Sequence, residues 1–320
     1  CHEAWVHQLG VLDADLDIVV GLPGRYTSDW DQRMRPLPGN ARLTTLAEAR
    51  DAGTQYDCVI NHNITDLLDT KSFAAPKLLV LHETLDGRMA QQDADFDARD
   101  MRATLNAYLA RVRGHAIAVS RMKAMSWGVT HVVVQFAVDP DAYLPHAGHV
   151  ASGLRVANHI TSKRIFLAWD FHQQALDGLP MKLIGHNPDM PGVEAAEDWN
   201  ALKQDLASHR FYVHTADPHF EDGYNMATLE AMAAGLPVLT NRHPTTIVEH
   251  GKSGFICDTP DEMRRYACEL LADPALAQRL GERAQDIVRA AYSPLRFKVD
   301  FTRAIADAKK KWTRRRKVAV

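Results

Sequence analysis

Cysteine is scarce, and its placement suits neither metal binding nor a disulfide framework. The four, Cys1, Cys58, Cys257 and Cys268, are scattered without metal-ligand spacing, so reduced thiols in a cytoplasmic protein are the expectation. There is no run of 18 apolar residues and no recognisable signal-peptide pattern, so neither a conventional spanning helix nor a leader is expected. Gly-x-Ser-x-Gly, P-loop, zinc patterns and short internal repeats are missing as well. Net charge is only -3, so the chain as a whole is not built to bind polyanions. Charge is uneven, however: KKKWTRRRK, Lys309 to Lys317, is a dense basic tail, suited to an anionic membrane surface or nucleic acid if not simply solvated.

With 320 residues and 46% hydrophobic content, two α/β domains with sizeable cores are affordable. The informative stretch runs from His214 to Gly254. Phe211 to His214 has strand composition, the polar run Asp217 to Asn225 reads as a loop, and Met226 to Ala234 suits a helix capped by Asn225 and ended by Gly235. Leu236 to Leu239 then restarts a strand. Such a junction directs a helix N-terminus, with unpaired amides and partial positive charge, at whatever lies above the strand ends; an anion is the natural ligand. Asp222 precedes that helix and Glu230 lies inside it. Because the helix is otherwise nearly all apolar, a carboxylate within it needs a polar purpose. Carboxylates beside a phosphate site accept hydrogen bonds from sugar hydroxyls. Phosphate plus polyol describes a nucleotide sugar.

DGYNMATLEAMAAGLPVLT resembles the acidic-x7-Glu signature of the retaining glycosyltransferases of family 4, and the likeness continues through VEHGKSGF. That resemblance implies an α/β protein of GT-B type: two Rossmann-like domains whose parallel sheets face a central cleft. It implies that Glu230 holds the ribose and Asp222 the donor sugar, with loop amides from Gly223, Tyr224, Asn225 and Met226 on sugar and phosphates. Asp222 departs from the usual glutamate, and Glu221 beside it leaves the register slightly ambiguous.

Along the chain, CHEAWVHQLGVL has helical spacing and Leu16 to Gly21 reads as a buried strand. A doubly wound domain begins with a strand and glycine turn before its first helix; none precedes this helix in the numbered sequence, although the resemblance implies one. The loop Gly24 to Asn40 offers Trp30, Arg33 and Arg35 for acceptor binding, with a plain surface loop as the other reading. Tyr56 to Asn61, Lys77 to Leu81, Ala116 to Ser120 and Val132 to Val134 are short β-rich runs separated mostly by helical segments, which predicts a parallel sheet. His82 follows one of these strands. The resemblance aligns it with a histidine beside the reacting sugar, and Ser120 with a serine at the next strand end.

The expected divisions are residues 1–148 for the acceptor, 149–293 for the donor, and 294–320 for a helix crossing back to the first domain plus the tail. His146 to Gly153 is the expected hinge. After LRVANHI, the resemblance makes Lys163 the diphosphate cation, with Arg164 as competitor and Asn158 in the position of the family's arginine. Gly185 and His186 are candidates for approach to the base.

The implied chemistry is retaining transfer from a UDP- or GDP-type sugar, without metal, nucleophile or cofactor beyond the sugar nucleotide itself. Lys163 and the helix N-terminus would stabilise the leaving diphosphate. The acidic runs Asp13 to Asp17 and Asp93 to Asp97 are discounted as metal sites, one preceding a strand at the far end and one reading as a helix start. Readings that compete are a GT-B epimerase or phosphorylase, a transferase acting on modified DNA bases, and a nucleotide-sugar or nucleic-acid binding module without turnover. The acceptor stays open among glycan, lipid-linked, small-molecule and nucleic-acid classes. Location is cytoplasmic in this reading, or peripheral at a membrane.

Overall fold

The computed structural model describes residues 3–24, 29–92 and 97–313. The chain divides into two compact units: Cys1–Phe136 with Pro294–Val320, and Ala137–Ser293. In the first unit the strands are β1 (Leu16–Val20), β2 (Ala41–Thr45), β3 (Val59–Asn61), β4 (Lys77–Leu81) and β5 (His115–Ala118). They pair in parallel as two separate sheets, β1-β2 and β3-β4-β5. Central β4 is buried at every position, as a continuous apolar strand in a parallel sheet must be. Its leading lysine fits because the Lys77 ammonium donates to the carbonyls of Thr70 and Phe73, both at 2.9 Å. Leu67, Leu105, Leu109, Ala124 and Trp127, from flanking helices, close over Leu79 and Leu81.

Helix Pro294–Thr313 belongs to this unit and sets Phe297 and Phe301 against the Trp5 ring, at 6.1 and 5.9 Å between centroids. Two expectations need correction. Val132 to Val134 is no strand: only Val133 bridges, to Ala118, because the chain leaves the sheet edge at once. Conversely β2, ARLTT, went unforeseen within its polar surroundings; its pairing with β1 is what makes it a strand.

The second unit has one continuous parallel sheet, ordered β10-β9-β8-β6-β7, from β6 (Val150–Val156), β7 (Met181–Ile184), β8 (His209–His214), β9 (Val238–Asn241) and β10 (Gly254–Cys257). Strands β8 and β9 are buried throughout. Helices Trp169–Leu176, Pro260–Ala272 and Pro274–Ala291 supply Leu176, Met263, Leu270 and Leu280 to the cluster around Phe211, Val213 and Leu239. The first and last residues of the unit lie together, Val138 donating to the Tyr292 carbonyl at 2.9 Å.

The expected hinge is not one. Residues 137–148 belong to the second unit, the His146 ring bonds to the His209 carbonyl at 2.8 Å, and the Ala147 amide donates to Ala207 at 2.8 Å. Gly153 lies within β6, where a Cβ would come 2.5 Å from the Phe211 ring; its small size serves packing. Among the described residues, no helix is long and apolar enough to cross a membrane.

Candidate functional site

All five strands of the second unit run the same way, so the loops after β6, β7, β8 and β9 share one edge of the sheet, where such folds bind ligands. Helix Met226–Ala233 begins at that edge. Asn225 is its N-cap, its side-chain oxygen accepting from the Thr228 amide and hydroxyl, both at 2.9 Å. Met226 and Ala227 fill the half-buried first turn, where amides have no intrahelical acceptor. Gly235, at φ 87°, lies just past the C-terminus in the left-handed conformation that favours glycine. Glu230 is 7% exposed on this helix. Its charge reaches Tyr212, whose phenol burial chiefly, and Glu230 besides, hold above its ordinary pKa. The Tyr212 hydroxyl donates to the Val156 carbonyl, the last residue of β6, at 3.3 Å.

Asp222 is 1% exposed, deeper than a residue at a pocket mouth. Its carbonyl accepts from His214 Nε2 at 3.2 Å, and its amide donates to the neighbouring Glu221 carboxylate at 2.9 Å. Burial holds the His214 pKa down at about 3, so this ring is a neutral donor at pH 7. The Thr245 hydroxyl lies 3.3 Å from Asp222 Oδ1 and accepts from the Gly223 amide at 2.8 Å. At Gly223 a Cβ would sit 2.7 Å from the His243 ring and 2.8 Å from the Thr246 amide, so only glycine lets the loops approach this closely. Tyr224 turns its buried ring against Tyr292, 5.8 Å between centroids, leaving its backbone as the part able to meet a ligand. Sequence reasoning missed Thr245 and His243. Their signal was weak: polar residues directly after β9.

The loops after β6 and β7 are tied to each other. Asn158 Oδ1 accepts from the His186 amide, Asn187 Oδ1 from Ile160, and the Asn187 amide group donates to Ala157, each at 2.8 Å. Asn158 thus spends its carbonyl on the β7 loop and brings no charge to this position. Gly185 takes φ 146°, and a Cβ there would meet the Ala157 carbonyl at 2.1 Å. His159 and His186 stack edge to face at 5.2 Å. Lys163 is half-buried in a run of turns, residues 160–168, rather than in the first turn of a helix. It makes no ion pair among the described residues, and its charge helps burial depress the His159 pKa. Arg164 is instead paired with Asp170 at 2.5 Å on the exposed surface, which separates the two competing cations.

One buried cation was not anticipated. Arg155 is 2% exposed on β6, and its hydrogen bonds go to neutral acceptors: the Thr215 hydroxyl at 2.7 Å, the Leu167 carbonyl at 3.0 Å and the Thr215 carbonyl at 3.3 Å. The guanidinium also lies 5.3 Å from the Trp169 ring. Burial lowers its pKa to about 10, still charged at neutral pH.

In the first unit, His82 is half-buried after β4, with Nε2 3.1 Å from His62 Nδ1 and the Trp5 edge 5.0 Å away. Ser120 is a helix cap, accepting from the Lys123 amide at 3.2 Å. Of the loop residues assigned to an acceptor, Trp30 and Arg35 are buried, the indole donating to the Arg35 carbonyl at 2.8 Å; both shape the loop from inside. Arg33 is exposed and paired with Asp31. Asp17 pairs with Arg42, and Asp97 caps helix Ala98–Val112, while residues 93–96 lie outside the described residues. In the basic tail, Lys309 pairs with Asp57 and the Trp312 carbonyl accepts from Arg113; residues 314–317 also lie outside them.

Parallel Rossmann-like sheets, with carboxylates and a helix N-terminus gathered at one sheet's C-terminal edge, define an α/β protein matching GT-B glycosyltransferase structures. Residues 181–273 match the family model described as glycosyl transferases group 1. Among solved structures, Anabaena HepE in complex with UDP-glucose is 14% identical with a TM-score of 0.63, covering 83% of this chain and 86% of its own. Sucrose-phosphate synthase from Thermosynechococcus elongatus is 14% identical with a TM-score of 0.66, covering 95% and 92%. TarM, known from S. aureus, is 13% identical with a TM-score of 0.61 over 81% of this chain, which spans 57% of TarM's length. No curated protein matches the sequence.

Proposed function

We propose that this protein is a retaining glycosyltransferase of family 4 type that moves a sugar from a nucleoside diphosphate sugar to an acceptor hydroxyl. The observation that carries the reading is Glu230, a carboxylate 7% exposed in an otherwise apolar helix whose N-terminus opens at the strand ends. The group 1 match over residues 181–273 covers this helix, and the UDP-glucose in HepE favours a UDP-type donor. In this reading Glu230 accepts hydrogen bonds from the ribose, Asp222 grips the donor sugar, and Gly185 and His186 lie beside the base. Asn158 fixes the loop that presents them. The second unit is then the donor unit and the first the acceptor unit, with His82 orienting sugar or acceptor.

The sugar C1–O bond breaks with its electron pair going to the diphosphate oxygen. The acceptor oxygen bonds to C1 on the same face, and its proton passes to the leaving phosphate. Lys163 and the first-turn amides of Met226 and Ala227 stabilise the growing negative charge, so neither metal nor a protein nucleophile has a part in this scheme. Turnover insensitive to chelator is the corresponding expectation.

The test is release of nucleoside diphosphate by the pure protein across a panel of sugar nucleotides and acceptors, with donor affinity followed by thermal shift. Glu230→Ala, checked for folding by circular dichroism, is expected to weaken donor binding by roughly 10- to 100-fold, the worth of hydrogen bonds to a charged group. Lys163→Ala should lower turnover more than Arg164→Ala does. Undiminished donor binding in folded Glu230→Ala would overturn the assignment.

A further inference from the structure

Arg155 stands out among the buried groups of the second unit. Its guanidinium donates to the Thr215 hydroxyl and to the Leu167 and Thr215 carbonyls, all neutral, and among the described residues no carboxylate pairs with it. Its aromatic neighbours carry no charge either. Beyond the Trp169 ring lies His172, stacked on it at 4.3 Å between centroids, with a pKa held down at about 2 by burial first and by Arg155 second. Burying an ion is far more costly than burying a neutral side chain of the same shape, and buried charges are ordinarily matched by an opposite one. A clamp between loops needs no charge.

The bonds of this guanidinium join two loops at the ligand edge. Leu167 lies in the run of turns after β6, and its amide donates to the Lys163 carbonyl at 2.9 Å. Thr215 directly follows β8, and its hydroxyl donates to the Leu167 carbonyl at 2.5 Å. Ala216 is fixed from the other side by the Asn241 side chain of β9, at 3.0 Å to its amide and 2.9 Å to its carbonyl. Ala168, beside Leu167, stands at φ 42°, a left-handed conformation that persists in a residue with a Cβ only where its surroundings hold it. The charge is felt along the same edge. After burial, Arg155 is the next cause of the lowered His214 pKa, and His214 donates to the Asp222 carbonyl. On the Tyr212 phenol, which burial chiefly holds high, Arg155 and Glu230 act in opposite directions.

We propose that Arg155 is a positioning residue of the donor site: from beneath the sheet edge it clamps the loop of Lys163 to the loop leading to Asp222, and its unmatched charge draws the donor's diphosphate to that edge without touching it. The role rests on the donor reading given above. A cation fixed in a low-dielectric interior attracts an arriving anion and has no need to reorganise when it comes. The diphosphate then supplies the negative charge that the surrounding side chains do not, and Lys163 is left to make the direct contact.

The test titrates UDP and GDP, each beside its parent nucleoside, into the wild-type protein and into Arg155→Met, Arg155→Gln and Arg155→Lys, with folding checked by circular dichroism. Arg155→Met is expected to weaken binding of the diphosphate about tenfold, in line with one charge acting through the protein interior, and of the nucleoside less than about twofold. Arg155→Gln, whose amide can still donate to the clamp, carries the same reading if the methionine variant does not fold. Arg155→Lys keeps the charge and should recover most of the diphosphate affinity. Equal losses for diphosphate and nucleoside would show a clamp alone, and unchanged diphosphate affinity in a folded neutral variant would show no role; either result overturns the proposal. Wild-type protein that binds neither diphosphate would overturn the donor reading itself, and this role with it.

Discussion

The two units are built of similar strands and differ in the continuity of their sheets. In the second unit five strands form one parallel sheet, and its polar edge is held by side chains already bonded to each other, Asn158, Asn187 and Thr245 among them. In the first unit the sheet is split after β1, and a strand as apolar as LDIVV is left half-buried. Composition alone therefore does not confer burial: apolar β1 is half-buried at every position, whereas β4, flanked by β3 and β5, is buried at every position.

The largest expected contrast lies within the first unit. Leu79→Ala, at a fully buried position of β4, should cost about 2–5 kcal/mol in denaturant unfolding, whereas Ile18→Ala in half-buried β1 should cost less than about 1.5 kcal/mol. Equal costs would break the comparison. Next come two left-handed glycines. Gly185→Ala drives a Cβ into the Ala157 carbonyl and should destabilise the second unit by about 2–3 kcal/mol, while Gly21→Ala, at φ 73° with open space around it, should cost about 1 kcal/mol.

The smallest effect is in pH. Burial lowers the pKa of His62 to about 3 in the first unit, and of His214 and His172 to about 3 and about 2 in the second. Each binds its proton more readily when unfolded. Their contribution is thus complete above about pH 6.5 and is lost as pH falls towards 3, roughly 1–2 kcal/mol per ring at pH 5. Unfolding followed from pH 7 to 5 should show the second unit losing more than the first, and His214→Gln should flatten that slope.

Much of the second unit was readable in advance because its signals are local. The Asn225 cap, the apolar run through Met232 and the glycine after it delimit the helix within a residue. Glu230 stood out because one charge in such a run is anomalous. What escaped depends on distant partners. β2 is a strand only because β1 lies beside it, and Trp30 and Arg35 are buried by a loop folding on itself. Thr245 and His243 reach Asp222 and Gly223 from twenty or more residues away, a contact no spacing rule reveals. The apparent hinge at His146 to Gly153 failed for the same reason: its polar and glycine residues are fixed by Ala207, His209 and Phe211.

Helix Pro294–Thr313 has a consequence for biosynthesis. Phe297 and Phe301, which complete the packing around Trp5, are translated only after all of residues 137–293. On the ribosome the second unit therefore has its whole sequence available first, and the first unit, though begun earlier, completes its packing around Trp5 only once residues 294–301 have followed.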